Sequence, residues 1–294
     1  MSRLFCFGLG YSAETLAARL AHQGWQIAGT GRDSANVQRL EAQGYAMVRF
    51  AGEPGNHALV EQLRGTTHLL HSIPPGRSGD PVLAHYRDAI AHLSSLAWIG
   101  YLSTVGVYGD QQGNWVDETA RTLPNSARTE ARVEAEQAWL AFGEETGVPV
   151  QIFRLAGIYG PGRSVFDKLR DGTALRVKKD GQVFSRIHVE DIASVLEASI
   201  ARPRGGATYN VADDEPAAPG DVVAYAAELI GVPPPAEVPF EEADLTPMAR
   251  SFYEGNRRIA NTRIKSELGV KLRFPTFREG LAALLEETAP SRSA

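Results

Sequence analysis

Short apolar stretches alternate with segments of helical periodicity along the first half of the chain. Each stretch is four or five residues long, which is typical of a buried strand, and the segment that follows repeats its apolar residues every three to four positions. This alternation predicts a parallel sheet with crossover helices on both faces. The predicted strands are Leu4–Phe7, Trp25–Ala28, Ala46–Phe50, His68–His71, Ile99–Ser103 and Val150–Arg154.

Two longer helices are predicted from residue spacing. The segment from Ser126 to roughly Glu145 keeps its apolar residues on one side, and a later helix is expected from Asp221 to Ile230. After Gly160-Pro161-Gly162 the pattern becomes irregular. We therefore predict an α/β fold, a doubly wound parallel Rossmann sheet with a smaller C-terminal substrate lobe. The Rossmann domain is expected at residues 1–160 plus about 187–212, and the smaller lobe at 161–186 and 213–294.

A glycine-rich turn separates the first predicted strand from the first helix, and it has the pattern G-x-G-x-x-A. Gly8 permits a tight turn, Gly10 leaves room for a pyrophosphate to approach the backbone, and Ala13 lets helix and strand pack closely. The helix that starts near Ser12 points its free N–H groups at the phosphates. The sequence therefore predicts a dinucleotide site formed by Gly8, Gly10, Tyr11, Ser12 and Ala13.

The end of the second strand distinguishes the two nicotinamide dinucleotides, because an acidic residue there binds the ribose hydroxyls of NAD. Thr30 stands where that acid is expected, and Arg32 follows with a guanidinium suited to the extra phosphate of NADP. These two residues favour NADP. If Asp33 binds the ribose instead and Arg32 lies in solvent, the cofactor is NAD.

A further cofactor contact is expected after the fourth strand, at the carboxyl edge where ligands of open α/β sheets bind. His71 and Ser72 stand at this point, and contact through their backbone is the expected role. His68 and His71 are three residues apart on one strand and face opposite sides, so they do not form a metal site.

Composition excludes several classes of function. The chain of 294 residues is 43% hydrophobic and 22% charged, and it contains no apolar run near the roughly 20 residues that span a bilayer. Cys6 is the only cysteine, which rules out an internal disulfide and fits a reducing cytoplasm. A net charge of -5 argues against a nucleic-acid partner. We expect a cytoplasmic protein with a small-molecule substrate, and a homodimer is left open.

Several longer motifs appear in a fixed order along the chain. They are Tyr101–Gly109 with the ending VYG, Arg154–Gly162 with YGPG, Ile187–Ala193 with HVED, and the closing segments Tyr209–Val211, Ser266–Gly269 and Glu279–Leu281. In this order they resemble an extended short-chain dehydrogenase/reductase of the NAD-dependent epimerase/dehydratase family, and specifically its atypical members. The resemblance covers nearly the whole chain.

The resemblance implies a set of catalytic positions. Thr104, five residues before Gly109, falls where the family keeps a Ser or Thr hydroxyl. The family's Tyr-x-x-x-Lys pair, registered by the downstream Ala135-Glu136-Gln137, falls on Arg128 and Arg132. Arginine cannot be deprotonated in a protein, so it cannot replace the tyrosine as an acid or base.

Two residues are candidates for part of the missing chemistry. Arg132 can still reach the nicotinamide ribose and supply positive charge, as the family's lysine does. Tyr108 is the nearest remaining phenol and is an alternative acid–base group, although this position is usually structural in the family.

The segment between the predicted lobes is rich in cations, which favours an anionic substrate unless these residues form a solvated face. Arg163 and Arg186 are the candidate substrate contacts, and the other cations are Lys168, Arg170, Arg176, Lys178 and Lys179. The family's nucleotide-binding arginine falls on Phe184, which argues against a nucleotide sugar. Val105 and Gly106 replace the acidic pair of the sugar-nucleotide 4,6-dehydratases, which argues against that subclass.

Two functions therefore remain open at this level. The first is an NADP-dependent oxidoreductase or epimerase that acts on a small polar substrate in the cleft between the lobes. The second is a non-catalytic dinucleotide-binding or sensor protein, in which the bound cofactor alters contacts with a partner.

Overall fold

A computed structural model describes residues 2–288 of the chain. Its strands are β1 (Arg3–Phe7), β2 (Gln26–Gly31), β3 (Ala46–Arg49), β4 (His68–His71), β5 (Trp98–Thr104), β6 (Trp115–Val116), β7 (Val150–Leu155), β8 (Gly157–Tyr159), β9 (Arg176–Lys178), β10 (Arg186–His188), β11 (Ala207–Val211), β12 (Glu237–Pro239) and β13 (Arg258–Ile259).

The helices alternate with these strands in the first half of the chain. They are α1 (Tyr11–His22), α2 (Ser34–Glu41), α3 (His57–Leu63), α4 (Pro81–Ala91), α5 (Ala127–Thr146), α6 (Val165–Arg170), α7 (Val189–Ala201), α8 (Pro219–Leu229), α9 (Pro247–Ser251), α10 (Thr262–Ser266) and α11 (Phe277–Thr288). Two short 3-10 helices lie at Val105–Tyr108 and Phe252–Glu254. Among the described residues, we find no helix that combines the length and the hydrophobicity needed to cross a bilayer.

Seven strands form one sheet in the order β11-β7-β5-β4-β1-β2-β3, and all its neighbouring strands are parallel. The strand order reverses at β1, which pairs with β2 on one side and β4 on the other. In open α/β sheets this reversal leaves a crevice at the carboxyl edge, where ligands bind. The predicted doubly wound Rossmann sheet is confirmed.

Successive side chains of each strand point to opposite faces of the sheet. Leu4 and Cys6 of β1 belong to the core on the face covered by α1, α2 and α7. Phe5 and Phe7 belong to the core on the opposite face, which α3, α4 and α5 cover. Both faces of the sheet are therefore buried, and its carboxyl edge remains for ligands.

The second strand is longer than predicted, since it runs to Gly31 and not only to Ala28. The strand pairs with β1 and β3 on its two sides. A Cβ atom on Gly29 would lie 2.8 Å from the carbonyl oxygen of Cys6, so the close approach of β1 requires glycine there. The extension carries Thr30 into the interior of the sheet.

The C-terminal part contains small parallel pairs of strands, β8 with β10, β9 with β12, and β6 with β13. A separate apolar cluster, which includes Tyr159, Phe166, Val222 and Phe277, holds α6, α8 and α11 together. The pairing of β6 with β13 joins this part to the chain that follows β5. The exact division into two lobes stays a prediction.

A buried polar network connects the middle of the sheet to α5. Arg154 on β7 donates to Glu136 on α5 at 2.7 Å and to the hydroxyl of Tyr108 at 2.9 Å. The Tyr108 hydroxyl in turn donates to Oδ1 of Asn210 on β11 at 2.8 Å, and Ser103 on β5 donates to Glu136. Each member is satisfied by another, which is the condition for keeping charges inside a core.

Replacement of Glu136 should therefore destabilise the fold strongly. Glu136→Ala leaves the Arg154 guanidinium buried without its carboxylate, and we expect a loss of about 3–5 kcal/mol in the free energy of unfolding. Urea denaturation followed by circular dichroism measures it. Glu134→Ala, at an exposed position of the same helix, is the control and should change stability by less than about 0.5 kcal/mol. Equal effects of the two variants would contradict the role assigned to the network.

Candidate functional site

The glycine-rich turn joins the end of β1 to the start of α1 and has a geometry that requires Gly8. Its φ is +82°, and a Cβ atom there would lie 2.8 Å from Oγ of Ser72 and 2.9 Å from Cγ1 of Ile73. Ser72 supports the turn from the neighbouring strand, since its hydroxyl donates to the carbonyl oxygen of Gly8 and its backbone N–H donates to that of Phe7 at 2.9 Å.

Gly10 differs from Gly8 because its backbone is extended, with φ -110°, and a Cβ atom there would have no heavy atom within 4 Å. It is the N-cap of α1 and has no side chain to cap the first N–H groups of that helix. Ala13 is buried against the sheet core, and Ser12 is also buried. An open space beside an uncapped helix start fits a pyrophosphate group.

Thr30 occupies the sheet interior and supports the turn. Its side chain is 0% exposed, and its Oγ1 accepts a hydrogen bond from the N–H of Gly8 at 2.9 Å. Arg32 lies exposed just beyond the end of β2, while the Asp33 carboxylate caps α2 by accepting from the N–H of Ala35 at 3.3 Å. The structure thus brings Arg32 to the ligand edge and holds Thr30 away from it.

The His71 side chain is also directed into the core. Its Nε2 lies 2.7 Å from Oδ2 of Asp80, which accepts a second hydrogen bond from Nε1 of Trp139 at 3.2 Å. Asp80 caps α4 through its other oxygen, which accepts from the N–H of Val82 at 2.9 Å. This leaves the backbone of His71 at the carboxyl edge, where contact through the backbone was expected.

A cleft of about 1630 Å³ opens at the carboxyl ends of β5 and β7, beneath the C-terminal segments. It brings together five residues singled out from the sequence, namely Thr104, Arg128, Arg132, Arg163 and Arg186. Cations outnumber carboxylates in its lining, since Lys168 and Arg257 also lie there, against Asp167 and Glu254. This charge balance suits an anionic ligand.

Arg132 is held in a fixed position at the end of β5. Its guanidinium donates to the hydroxyl of Tyr101 at 3.0 Å and to the carbonyl oxygen of Leu102 at 2.9 Å. Burial raises the pKa of Tyr101, an effect that the nearby Arg132 charge opposes. Arg132, a residue of α5, is therefore anchored to β5 and lines the cleft with its positive charge.

Thr104 and Arg128 both line the cleft. Oγ1 of Thr104 accepts from the N–H of Gly106 at 3.1 Å, which leaves its O–H free to donate. Arg128 is exposed, contacts Sδ of Met248 at 3.0 Å and lies over the ring of Phe252 at 5.4 Å. Arg128 therefore joins α5 to the segment around α9.

Tyr108 lies outside the cleft, which removes the geometric basis for a role as substitute acid or base. Its side chain is 0% exposed, and its hydroxyl is engaged by Arg154 and Asn210. Burial also raises the pKa of Tyr108, mainly through the loss of water around the phenolate. Its partner Arg154 is 46 positions away in the sequence, so local patterns gave no sign of the contact.

Arg257 is a cleft residue that sequence reasoning missed, because it lies in an irregular segment without a motif. It donates to the carbonyl oxygen of Gly109 at 2.5 Å, and its Nε is buried with no hydrogen-bond partner among residues 2–288. Burial lowers the pKa of Arg257, while Asp110 opposes the shift. The carboxylate of Asp110 already accepts from the backbone N–H groups of Gln112 and Asn256.

Arg186 is in a similar situation. It donates to the carbonyl oxygens of Phe184 at 2.9 Å and Ala217 at 3.2 Å, and burial lowers its pKa. The nearby Asp213 opposes this shift, although burial raises the pKa of its own carboxyl to about 8. Within residues 2–288, neither Arg186 nor Arg257 forms an ion pair with a carboxylate.

Tyr11 and Arg163 connect the glycine-rich turn to the cleft. The Tyr11 hydroxyl donates to the carbonyl oxygen of Pro161 at 3.0 Å, and the Arg163 guanidinium lies over the Tyr11 ring at 5.8 Å. Tyr11 is the first residue of α1, and Arg163 lines the cleft. The two candidate ligand sites are therefore adjacent.

The model of the NAD-dependent epimerase/dehydratase family matches residues 8–212 of the chain. The protein belongs to this family. Protein YeeZ of Escherichia coli K12 is 30% identical over 289 residues, covering 94% of this chain and 97% of YeeZ. A 3-diazoavenalumate denitrifying reductase of Streptomyces is 32% identical over 144 residues, which is 44% of this chain and 45% of that protein.

Solved structures agree with this assignment. A functionally unknown conserved protein from Silicibacter pomeroyi has 51% identity and a TM-score of 0.89, covering 99% of this chain and 100% of that one. UDP-glucuronic acid 4-epimerase of Bacillus cereus, in complex with UDP-glucuronic acid and NAD, has 17% identity and a TM-score of 0.77, covering 98% and 100%. The latter likeness shows the shared fold. The family is nicotinamide dinucleotide-dependent, as the glycine-rich turn indicated.

The two glycines of the turn should respond differently to substitution. Gly8→Ala places a Cβ atom against Ser72 and Ile73 at positive φ, and we expect a loss of about 1–3 kcal/mol in the free energy of unfolding. Gly10→Val places its side chain in open space, so its stability should stay within about 1 kcal/mol of the natural protein. Chemical denaturation of both variants is the measurement. The geometry described for the turn is incorrect if Gly10→Val is the less stable of the two.

Proposed function

We propose that this protein is an NADP(H)-dependent oxidoreductase or epimerase that acts on a small anionic carbonyl compound in the cleft. The observation that supports this most directly is the pair of half-buried arginines, Arg186 and Arg257, which line the cleft and form no direct salt bridge with a carboxylate of residues 2–288. A cation removed from water is unfavourable unless an anion compensates its charge. A substrate carboxylate or phosphate supplies that compensation.

The cofactor is assigned to the turn formed by Gly8, Gly10, Tyr11, Ser12 and Ala13, with the backbone of His71 and Ser72 beside it. The uncapped start of α1 binds the pyrophosphate. The Thr30 hydroxyl fixes the N–H of Gly8 by accepting its hydrogen bond. Arg32 binds the 2′-phosphate of NADP, and Asp33 is already engaged as a helix cap. When bound, the dinucleotide supplies or accepts a hydride at its nicotinamide ring.

The substrate oxygen is held by Thr104 and Arg132. The free O–H of Thr104 donates to this oxygen, and the Arg132 charge stabilises the negative charge that develops on it. Arg128, at the position of the family's tyrosine, cannot supply a proton. The proton then comes from water, which predicts slow turnover on simple carbonyl compounds.

The relatives are consistent with such an activity. The Streptomyces relative is named a 3-diazoavenalumate denitrifying reductase, and the Bacillus cereus epimerase is in complex with UDP-glucuronic acid and NAD. A reductase on the same scaffold therefore needs no change in fold.

Cofactor choice is tested with Arg32→Ala. Loss of a charge-assisted contact to the 2′-phosphate should weaken NADP⁺ binding by about tenfold to a hundredfold and leave NAD⁺ binding unchanged. Isothermal titration calorimetry with both dinucleotides measures this. Arg64→Ala, an exposed arginine on the far end of α3, is the control, and Gly10→Val should bind neither dinucleotide while remaining folded. Equal affinity of the natural protein for NAD⁺ and NADP⁺ would rule out the assignment to Arg32.

Catalysis is tested by restoring the family's pair. Arg128→Tyr combined with Arg132→Lys should raise NADPH oxidation on a carbonyl panel at least tenfold over the natural protein, because the tyrosine supplies the missing proton. Thr104→Ala should lower the rate of both proteins.

Other outcomes separate the two functions. Brisk turnover by the natural protein that Thr104→Ala leaves unchanged means that other residues perform the chemistry. If the natural protein binds NADP(H) and is silent while the double variant is active, the natural role is that of the non-catalytic dinucleotide-binding protein.

A further inference from the structure

The cleft is lined by two chemically different sets of side chains. One set is the arginines already described, and the other, which we call the apolar wall, is aliphatic and aromatic. The apolar wall includes Val177, Phe184, Val222, Val223, Leu245, Met248, Phe252, Tyr253, Phe277 and Leu281. These apolar side chains remove apolar ligand surface from water.

The arginines and the apolar wall are in contact at Arg186. This guanidinium donates to the carbonyl oxygen of Phe184, whose ring packs edge-on against Tyr253 with centroids 5.1 Å apart. The pair extends to Phe240, whose ring lies 4.9 Å from that of Tyr253. A half-buried cation therefore lies directly beside an aromatic cluster.

The entrance is apolar as well. Met248 and Phe252 line the cleft with 56% and 51% of their surfaces exposed, although large apolar side chains are normally buried. Arg128 lies over the Phe252 ring. A planar ring that packs beside these residues would contact the aromatic ring of Phe252 and the thioether of Met248.

From this arrangement we infer that the substrate is an amphipathic monoanion, an aromatic carboxylic acid, and not a nucleotide sugar. The inference rests on the proposed function and narrows its substrate. The carboxylate binds Arg186 and Arg257, and the ring packs against the apolar wall, of which Phe252 is part. A ligand with one large apolar surface and few hydroxyl groups fits this cleft better than a sugar, because most of the lining surface is apolar.

Binding to the NADP⁺-loaded protein tests the inference, with dissociation constants from calorimetry. The probes are benzoate, 4-hydroxycinnamate and 2-naphthoate, the uncharged methyl ester of 4-hydroxycinnamate, pyruvate, and UDP-glucuronate. We expect at least one aromatic acid to bind more than tenfold tighter than the ester, pyruvate and UDP-glucuronate. Competition between the bound acid and the ester gives the same ranking without reference to activity.

Phe252→Ser should lower the affinity for the aromatic acid about tenfold, because it removes one ring contact at an exposed position and leaves the core intact. Trp115→Ser is the matched control, since Trp115 is 59% exposed but lies outside the cleft lining. It should leave all affinities unchanged. Arg257→Lys keeps the charge but loses the forked geometry that a carboxylate prefers, so it should also lower the affinity for the aromatic acid.

Contrary results are distinguishable. If UDP-glucuronate or pyruvate binds tightest and Arg257→Lys weakens it, the anion site stands and the aromatic class is wrong. An aromatic acid that binds equally well to Phe252→Ser also overturns the aromatic class. If no anion binds the folded protein, both the aromatic class and the proposed function fail.

Discussion

The ion pair between Glu136 and Arg154 is the interaction on which the geometry of the cleft depends. It joins α5 to β7, and through Ser103 and Tyr108 it reaches β5 and the segment after it. These are the elements that present the side chains of the site. Burying two charges costs desolvation energy, which is offset only when all of their hydrogen bonds are formed. Displacing one of these elements would break such bonds, so the pair favours a single arrangement of the elements.

The sequence was sufficient wherever a local rule governs the backbone. Gly8 and Gly10 were recognised from spacing alone, and the structure adds that one needs glycine for conformation whereas the other leaves open space. The Ser126 cap of the long helix is a similar case, since it pairs reciprocally with Thr129 three residues on. Short-range rules of this kind need no knowledge of the tertiary structure.

Sequence reasoning was insufficient where a distant partner decides the orientation of a side chain. Thr30 and Tyr108 both stand at positions where the sequence favoured contact with a ligand. In the structure, Thr30 accepts from the Gly8 amide and Tyr108 accepts from the Arg154 guanidinium. Arg257 shows the reverse, because nothing around it in the sequence marks it as a cleft residue. The strand pairing of β6 with β13 brings its segment next to Gly109.

The contact of Tyr11 with Pro161 and Arg163 has a thermodynamic consequence. It joins the first residue of α1, assigned above to the cofactor, to a loop beside the proposed substrate cleft. If both sites bind as proposed, a ligand that tightens or loosens this contact would alter the binding of the other, and linkage requires that each ligand change the affinity of the other by the same factor. One phenol would then couple two binding equilibria on segments 150 residues apart.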